Sequence, residues 1–154
     1  MMTKCCEVLS VLQGKTLVTA ESLTGGGIGA ALTAVPGASA VYKGGVISYT
    51  NSVKKTVLGV PAEILTTYGA VSAWTAGYMA SGVRKLLKAD VAVSVTGLAG
   101  PGGDEYGNPV GTVFIGYEDA RQSTVKHCRF EGSREEIRKQ TVETALQLIL
   151  EHNQ

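Results

Sequence analysis

Apolar residues recur along this chain at two spacings, and the alternation between the spacings outlines the architecture. Cys5, Val8, Leu9 and Leu12 fall three or four apart, the period of one helix face, and Gly14 follows as a stop. The pattern predicts an N-terminal helix over residues 3–13. KTLVTA, Lys15 to Ala20, is a short run suited to a buried strand. Gly25 to Val35 returns to helical character, rich in small residues, and ends before Pro36. GGVISYT, Gly44 to Thr50, predicts a second strand, and Asn51 stands as N-cap of a short helix carrying Lys54, Lys55 and Val57. Pro61 suits the first turn of another short helix. Ser72 then caps a long helix from Ala73 to Lys88. ADVAVSVTG, Ala89 to Gly97, is apolar or small at nearly every position, as expected of a strand covered on both faces.

A loop dense in glycine follows, GLAGPGGDEYGNPVG, and then two strand-like runs, TVFIGYED and STVKHCRF, joined near Ala120 as a hairpin. Ser133 with Glu136 forms a capping box in sequence. It opens a final helix over 134–151, with Ile137, Val142, Ala145, Leu146, Ile149 and Leu150 as its apolar stripe. Strands alternating with helices require crossover connections and parallel pairing, and the late hairpin makes the sheet mixed. The expected fold is therefore a three-layer α/β/α arrangement with a mixed, largely parallel sheet. It forms a single domain over residues 1–154.

Composition narrows the function classes. The 154 residues carry a net charge of +1, which gives no support for a nucleic-acid or membrane surface. No apolar run approaches the roughly 18 residues of a membrane span. The N-terminus lacks the apolar core and cleavage site of a signal peptide. The cysteines Cys5, Cys6 and Cys128 form no CxxC, which is the usage of a reduced, cytoplasmic protein. Scattered cysteines and two histidines make a poor zinc site, so neither metal nor cofactor is expected.

In an open α/β sheet, ligands bind beyond the carboxyl ends of the parallel strands. Three such ends carry unusual residues here. The first offers Glu21, Ser22, Thr24, Gly25 and Gly26; the second offers Ser48, Tyr49, Thr50, Asn51 and then Lys54. The third offers Thr96, Gly97, Leu98, Ala99, Gly100 and Pro101. Ser22 sits at a strand-to-helix turn, the placement of a nucleophile elbow, although AESLTGG is not GxSxG. Ser22 and Thr24 also serve as ordinary helix caps. His127 lies within a late strand and His152 in the C-terminal tail, which disfavours a Ser-His-Asp triad. A desolvated lysine is the alternative base, with Lys54 placed best and Lys43 and Lys55 as alternatives. Glycine-rich TGLAGPGG is suited to an anion nest but lacks the GK[ST] of a P-loop. Asp104 and Glu105 read as solvent-facing loop charges, and Arg134 and Arg138 as surface residues with a phosphate contact as the rarer role.

Six stretches in order, TAESLTGG, GGVISYTNSVKKTVLGV, YGAVS, VSVTGLAGPGG, PVGTVFIG and FEGSREEIRKQTVETAL, resemble the CinA C-terminal domain family. In that family the stand-alone domain is nicotinamide mononucleotide deamidase, and longer members carry an extra N-terminal domain. The resemblance implies a metal-independent amidase that converts nicotinamide mononucleotide to nicotinic acid mononucleotide and ammonia. It implies Ser22 as nucleophile, Lys54 as its base and Tyr49 as a positioning or relay group. Thr24, Gly25, Gly26, Asn51, Thr96, Gly97, Ala99 and Gly100 would bind substrate, and the chain would form a homo-oligomer. A catalytically silent nucleotide-binding paralogue, or a competence and damage-response scaffold, is the other reading. Two departures stand out: Leu23 occupies a position often held by cysteine, and Ala73 and Trp74 follow GAVS where acidic residues are common.

Overall fold

The computed structural model describes residues 1–154. In chain order it contains α1 (Met2–Val11), β1 (Leu17–Glu21), α2 (Gly27–Thr33), a 3-10 turn (Ala38–Ala40) and β2 (Tyr42–Ile47). There follow α3 (Asn51–Thr56), α4 (Ala62–Tyr68), α5 (Ala73–Leu87) and β3 (Val91–Gly97). The hairpin β4 (Thr112–Glu118) and β5 (Ser123–Arg129) and the helix α6 (Arg134–Glu151) complete the chain. The strands form one sheet in the order β2-β1-β3-β4-β5. β1 pairs in parallel with β2 and β3, while β4 runs antiparallel to β3 and β5. The result is a mixed α/β sheet.

Period-two alternation divides the core between the two faces. Val91, Val93 and Val95 enter a large cluster with Val8, Leu12, Ile28, Leu32, Leu146 and Ile149, which places α1, α2 and α6 on one side. Val18, Ala20 and Ala92 point the other way, against Leu65, Met79 and Val83 of α4 and α5. β1 and the body of β3 are buried along their length, whereas the edge strand β2 alternates with solvent and the edge strand β5 is buried only at Cys128. This is the burial that parallel central strands covered on both faces require.

The connection leaving β1 leads outward to β2, and the one leaving β3 leads to β4 on the opposite side. The step from β1 out to β2 passes through α2, and the return from β2 to β3 passes through α5. Right-handed crossovers in opposite directions put α2 and α5 on opposite faces, and a crevice opens beyond the carboxyl ends of β1 and β3.

Several boundaries differ from the sequence expectation. α1 occupies Met2–Val11 rather than 3–13, with Leu12 at its C-cap. The second strand begins at Tyr42 and ends at Ile47, so Ser48 to Thr50 form the turn that leads to α3. The N-cap of α3 is Thr50, not Asn51: Thr50 is extended and its hydroxyl accepts from the Val53 N–H at 3.4 Å. α2 starts at Gly27, because Gly25 and Gly26 have φ of 57° and 101°, left-handed values open to glycine. The Ser72 cap and the Ser133–Glu136 capping box are both present. No helix is long and apolar enough to cross a membrane.

Candidate active site

Two elements built from the sequence meet at the crevice. The first is the turn after β1. The Ser22 N–H donates to Val95 O at 3.1 Å, which ties the turn to β3, and the Gly25 N–H donates to Ser22 O at 3.1 Å to close it. Glu21, 2% exposed, turns its carboxylate to the start of α2. It accepts from the Thr24 hydroxyl at 2.7 Å, from the Ile28 N–H at 2.8 Å and from the Gly29 N–H at 3.0 Å. Glu21 thus occupies the helix N-terminus that a bound anion would otherwise use. Thr24 is a ligand of Glu21 rather than a helix cap, and Ser22 caps nothing.

The second element is α3. Its cap at Thr50 starts the helix so that Lys54 turns inward and Lys55 outward: Lys54 is 1% exposed. The Lys54 Nζ lies 3.0 Å from Ser22 Oγ, 2.8 Å from Ser48 O and 3.2 Å from Tyr49 O. No carboxylate pairs with it; the single salt bridge of the chain joins Arg84 and Glu118. Burial without a counter-charge disfavours the ammonium and lowers the Lys54 pKa from 10.5 to about 8. The contacts also fix how a neutral amine would sit. The two carbonyls only accept, so they take its two N–H groups, and the lone pair is left for the Ser22 hydroxyl proton.

Ser22 and Lys54 stand at one side of a cavity of about 410 Å³. Tyr49 and Arg134 line it too, together with the Ala70–Val71 segment and the run from Thr96 to Gly103. The lining carries two cations, Lys54 and Arg134, and no carboxylate. Arg134 donates to Gly100 O at 2.6 Å and to the Tyr49 hydroxyl at 3.2 Å. It thereby bridges the glycine loop and the α3 entry while keeping further N–H groups unused. The amides of Ala99, Gly100, Gly102 and Gly103 make no hydrogen bond within the chain. The far end of that loop is anchored: Asp104 accepts from the Tyr106 and Asn108 N–H groups, and the Tyr106 hydroxyl donates to Thr66 O at 2.8 Å.

Of the residues anticipated from sequence, the cavity gathers Ser22, Tyr49, Lys54, Thr96, Gly97, Ala99 and Gly100. Thr24, Gly25, Gly26 and Asn51 lie outside its lining. The missing Cβ of Gly26 faces Ile47, and Asn51 borders a separate depression with Lys55 and Tyr106. Tyr49 reaches Lys54 through its backbone carbonyl; its hydroxyl accepts from Arg134. Lys43, an alternative base in the sequence, is exposed and donates to Leu87 O at 2.6 Å at the end of α5. Sequence reasoning missed Ala70 and Val71 as lining, whereas Gly102 and Gly103 close the TGLAGPGG stretch it had singled out. It passed over Arg134, whose place one residue inside a capping box at the crevice end of α6 was the available signal. No group of three or more His, Cys, Asp or Glu side chains is placed to hold a metal ion.

Comparison with known proteins agrees with the fold. The profile of the CinA C-terminal domain matches residues 2–152. A CinA-like protein of Endomicrobium trichonymphae is 49% identical over 135 residues, covering 88% of this chain and 32% of that protein. The chain spans about a third of the length of the curated relatives it matches. The crystal structure of competence/damage inducible protein CihA from Agrobacterium tumefaciens superposes with a TM-score of 0.95 at 41% identity, covering 99% of this chain and 95% of that one. That of competence damage-inducible protein A from Klebsiella pneumoniae gives 0.94 at 37% identity, covering 99% and 98%.

Proposed function

The chain belongs to the CinA C-terminal domain family, and from that premise we propose that it is an amidohydrolase acting on the carboxamide of nicotinamide mononucleotide. The products are nicotinic acid mononucleotide and ammonia. The observation that carries this reading is the 3.0 Å contact between Ser22 Oγ and a buried Lys54 with no acidic partner. A structural lysine at this depth would be paired with a carboxylate; an unpaired one with a lowered pKa serves as a base.

The chemistry follows from the pair. Neutral Lys54 takes the Ser22 hydroxyl proton as Oγ attacks the carboxamide carbon. The tetrahedral intermediate collapses with cleavage of the C–N bond, and the Lys54 ammonium gives its proton to the leaving nitrogen, releasing ammonia. The Ser22 ester then meets water: Lys54 takes a proton from it, the ester C–O bond breaks, and Oγ recovers its proton. The carboxylate product leaves. Tyr49 supplies a carbonyl that holds Lys54 and a ring that walls the cavity. A cavity with no acid suits an anionic substrate, and Arg134 with the free amides of Ala99 to Gly103 suits its phosphate.

The names of several relatives refer to competence and damage, which describe a circumstance of expression rather than a chemistry. A silent nucleotide-binding relative would keep the cavity but would have no need of an uncompensated lysine against a serine. The test is product analysis with purified protein on nicotinamide mononucleotide, nicotinamide riboside and nicotinamide. Equimolar ammonia and nicotinic acid mononucleotide, with the two unphosphorylated compounds at least tenfold poorer, is the expected result. Binding of the mononucleotide without turnover refutes the amidase.

A further inference from the structure

Arg138 sits one helical turn beyond Arg134 on α6, yet it does not line the cavity. Its guanidinium reaches back 115 residues in sequence to the turn that carries Ser22. Nε donates to Leu23 O at 2.9 Å and Nη2 donates to Thr24 O at 3.1 Å. It has no carboxylate partner. A Cβ at Gly25 would stand 3.5 Å from Arg138 Nη2, in ordinary contact, so the guanidinium lies directly against this turn. The two carbonyls it holds are consecutive, and they are those of the residues immediately after the nucleophile.

The Thr24 N–H, which shares a peptide with Leu23 O, is unsatisfied, and so is the Leu23 N–H one peptide earlier. Leu23 is 4% exposed and Thr24 2%, and neither N–H makes a hydrogen bond within the chain. Buried N–H groups without partners are rare in folded proteins and call for a physical reason. In a trans peptide the N–H points opposite to the C=O. Holding Leu23 O toward α6 therefore turns the Thr24 N–H away from α6. Holding Thr24 O fixes the next N–H, that of Gly25, on Ser22 O. Glu21 meanwhile occupies the Ile28 and Gly29 amides, which leaves Leu23 and Thr24 as the free donors of this turn.

We infer that Arg138 is a positioning residue that locks the Ser22 turn with its Leu23 and Thr24 amides free, as the donors for the oxyanion that forms when Ser22 attacks. This rests on Ser22 being the nucleophile, as proposed above. The N–H of the residue after a nucleophile is a recurrent oxyanion donor, because it lies beside the atom that reacts. Without Arg138 the Leu23–Thr24 peptide is free to rotate and present a carbonyl where negative charge develops. Arg138 itself touches neither substrate nor Ser22 Oγ.

The experiment uses two readouts on the full chain, turnover of nicotinamide mononucleotide and the rate of Ser22 phosphonylation by an alkyl fluorophosphonate. The second forms a P–O bond to Ser22 with loss of fluoride and draws on the same donors without needing the amide substrate. For Arg138→Gln the expected result is a fall of about a hundredfold in kcat, with KM and product affinity within about threefold of wild type. Phosphonylation slows in parallel. Arg138→Lys, which offers one point donor in place of a fork, lies between wild type and Arg138→Gln. In wild-type protein phosphonylated at Ser22, the Leu23 and Thr24 amide protons shift downfield, a readout that holds even if both variants fold poorly. A folded Arg138→Gln protein with wild-type kcat and phosphonylation rate, or amides of Leu23 and Thr24 that do not respond to the adduct, overturns the inference. Phosphonylation of wild type without turnover of the mononucleotide defeats the substrate assignment alone. Absence of any Ser22 labelling defeats both.

Discussion

The turn after β1 and the turn after β3 stand side by side, both follow buried strands, and both are rich in glycine, yet their backbone groups meet different fates. After β1, Glu21 takes the helix amides from one side and Arg138 takes the turn carbonyls from the other. What remains is one hydroxyl and two amides beside it. After β3, the amides of Ala99, Gly100, Gly102 and Gly103 are all left open, and the loop is held by Arg134 at the Gly100 carbonyl and at its distal end by Asp104, Tyr106 and Asn108. A glycine-rich turn at a strand end is thus an anion site only to the extent that the chain has not already filled it. On the proposed reading, the first turn is fixed for chemistry at a single point. The second keeps a row of donors suited to a larger anionic group.

Substitutions in the two regions should separate accordingly. Lys54→Met removes the proposed base and should lower kcat by about 10²–10⁴-fold while leaving substrate affinity nearly unchanged. Steady-state kinetics at saturating substrate check this. Arg134→Gln acts on the second turn and should raise KM for the mononucleotide by about 10–100-fold with kcat little altered. A kcat loss as large as that of Lys54→Met would erase the division of labour between the turns.

The pH dependence follows from Lys54 alone. With a pKa of about 8, roughly one molecule in ten carries the neutral amine at pH 7. kcat/KM should therefore rise about tenfold between pH 7 and pH 9 and level off above the Lys54 pKa. Folding stability should move the same way, because the unfolded chain binds this proton more tightly than the folded one. From about pH 8 toward 10.5 the unfolded state holds the extra proton, so this group raises stability with pH. Urea midpoints of wild type and Lys54→Met across that range should differ in slope by this one group. The smallest effect belongs to the filled side of the first turn. Glu21→Gln keeps the shape but loses charge-assisted bonds to the start of α2, at a cost of about 1–3 kcal/mol in stability. Thermal unfolding measures it.

The fold was largely legible in the sequence because its signals are local. Short runs of apolar and small residues marked β1 and β3, and Ser72 and the Ser133–Glu136 box announced their helices within four residues. Lys54 was distinguishable from Lys55 once α3 was placed, since a helix turns adjacent residues to different sides. The site was legible where residues follow a strand directly, as Ser22, Tyr49 and the Thr96–Gly100 run do. What stayed hidden depends on distance. Glu21 reads as one more polar residue at a strand end until the start of α2 folds over it. Arg138 reads as a surface arginine because nothing within its own helix says that Leu23 lies in reach. The α3 cap shifted by one residue because Thr50 and Asn51 are both good caps, and the strand exit decides between them.

The central claim is that Ser22 opens the amide. The most direct measurement is the rate of ammonia release from nicotinamide mononucleotide by wild type and by Ser22→Ala, prepared alike and compared at pH 8. The pair predicts steady release by wild type and a loss of roughly 10⁴-fold or more in Ser22→Ala, with the variant still folded and still binding the mononucleotide. Ammonia release by Ser22→Ala within tenfold of wild type would contradict it.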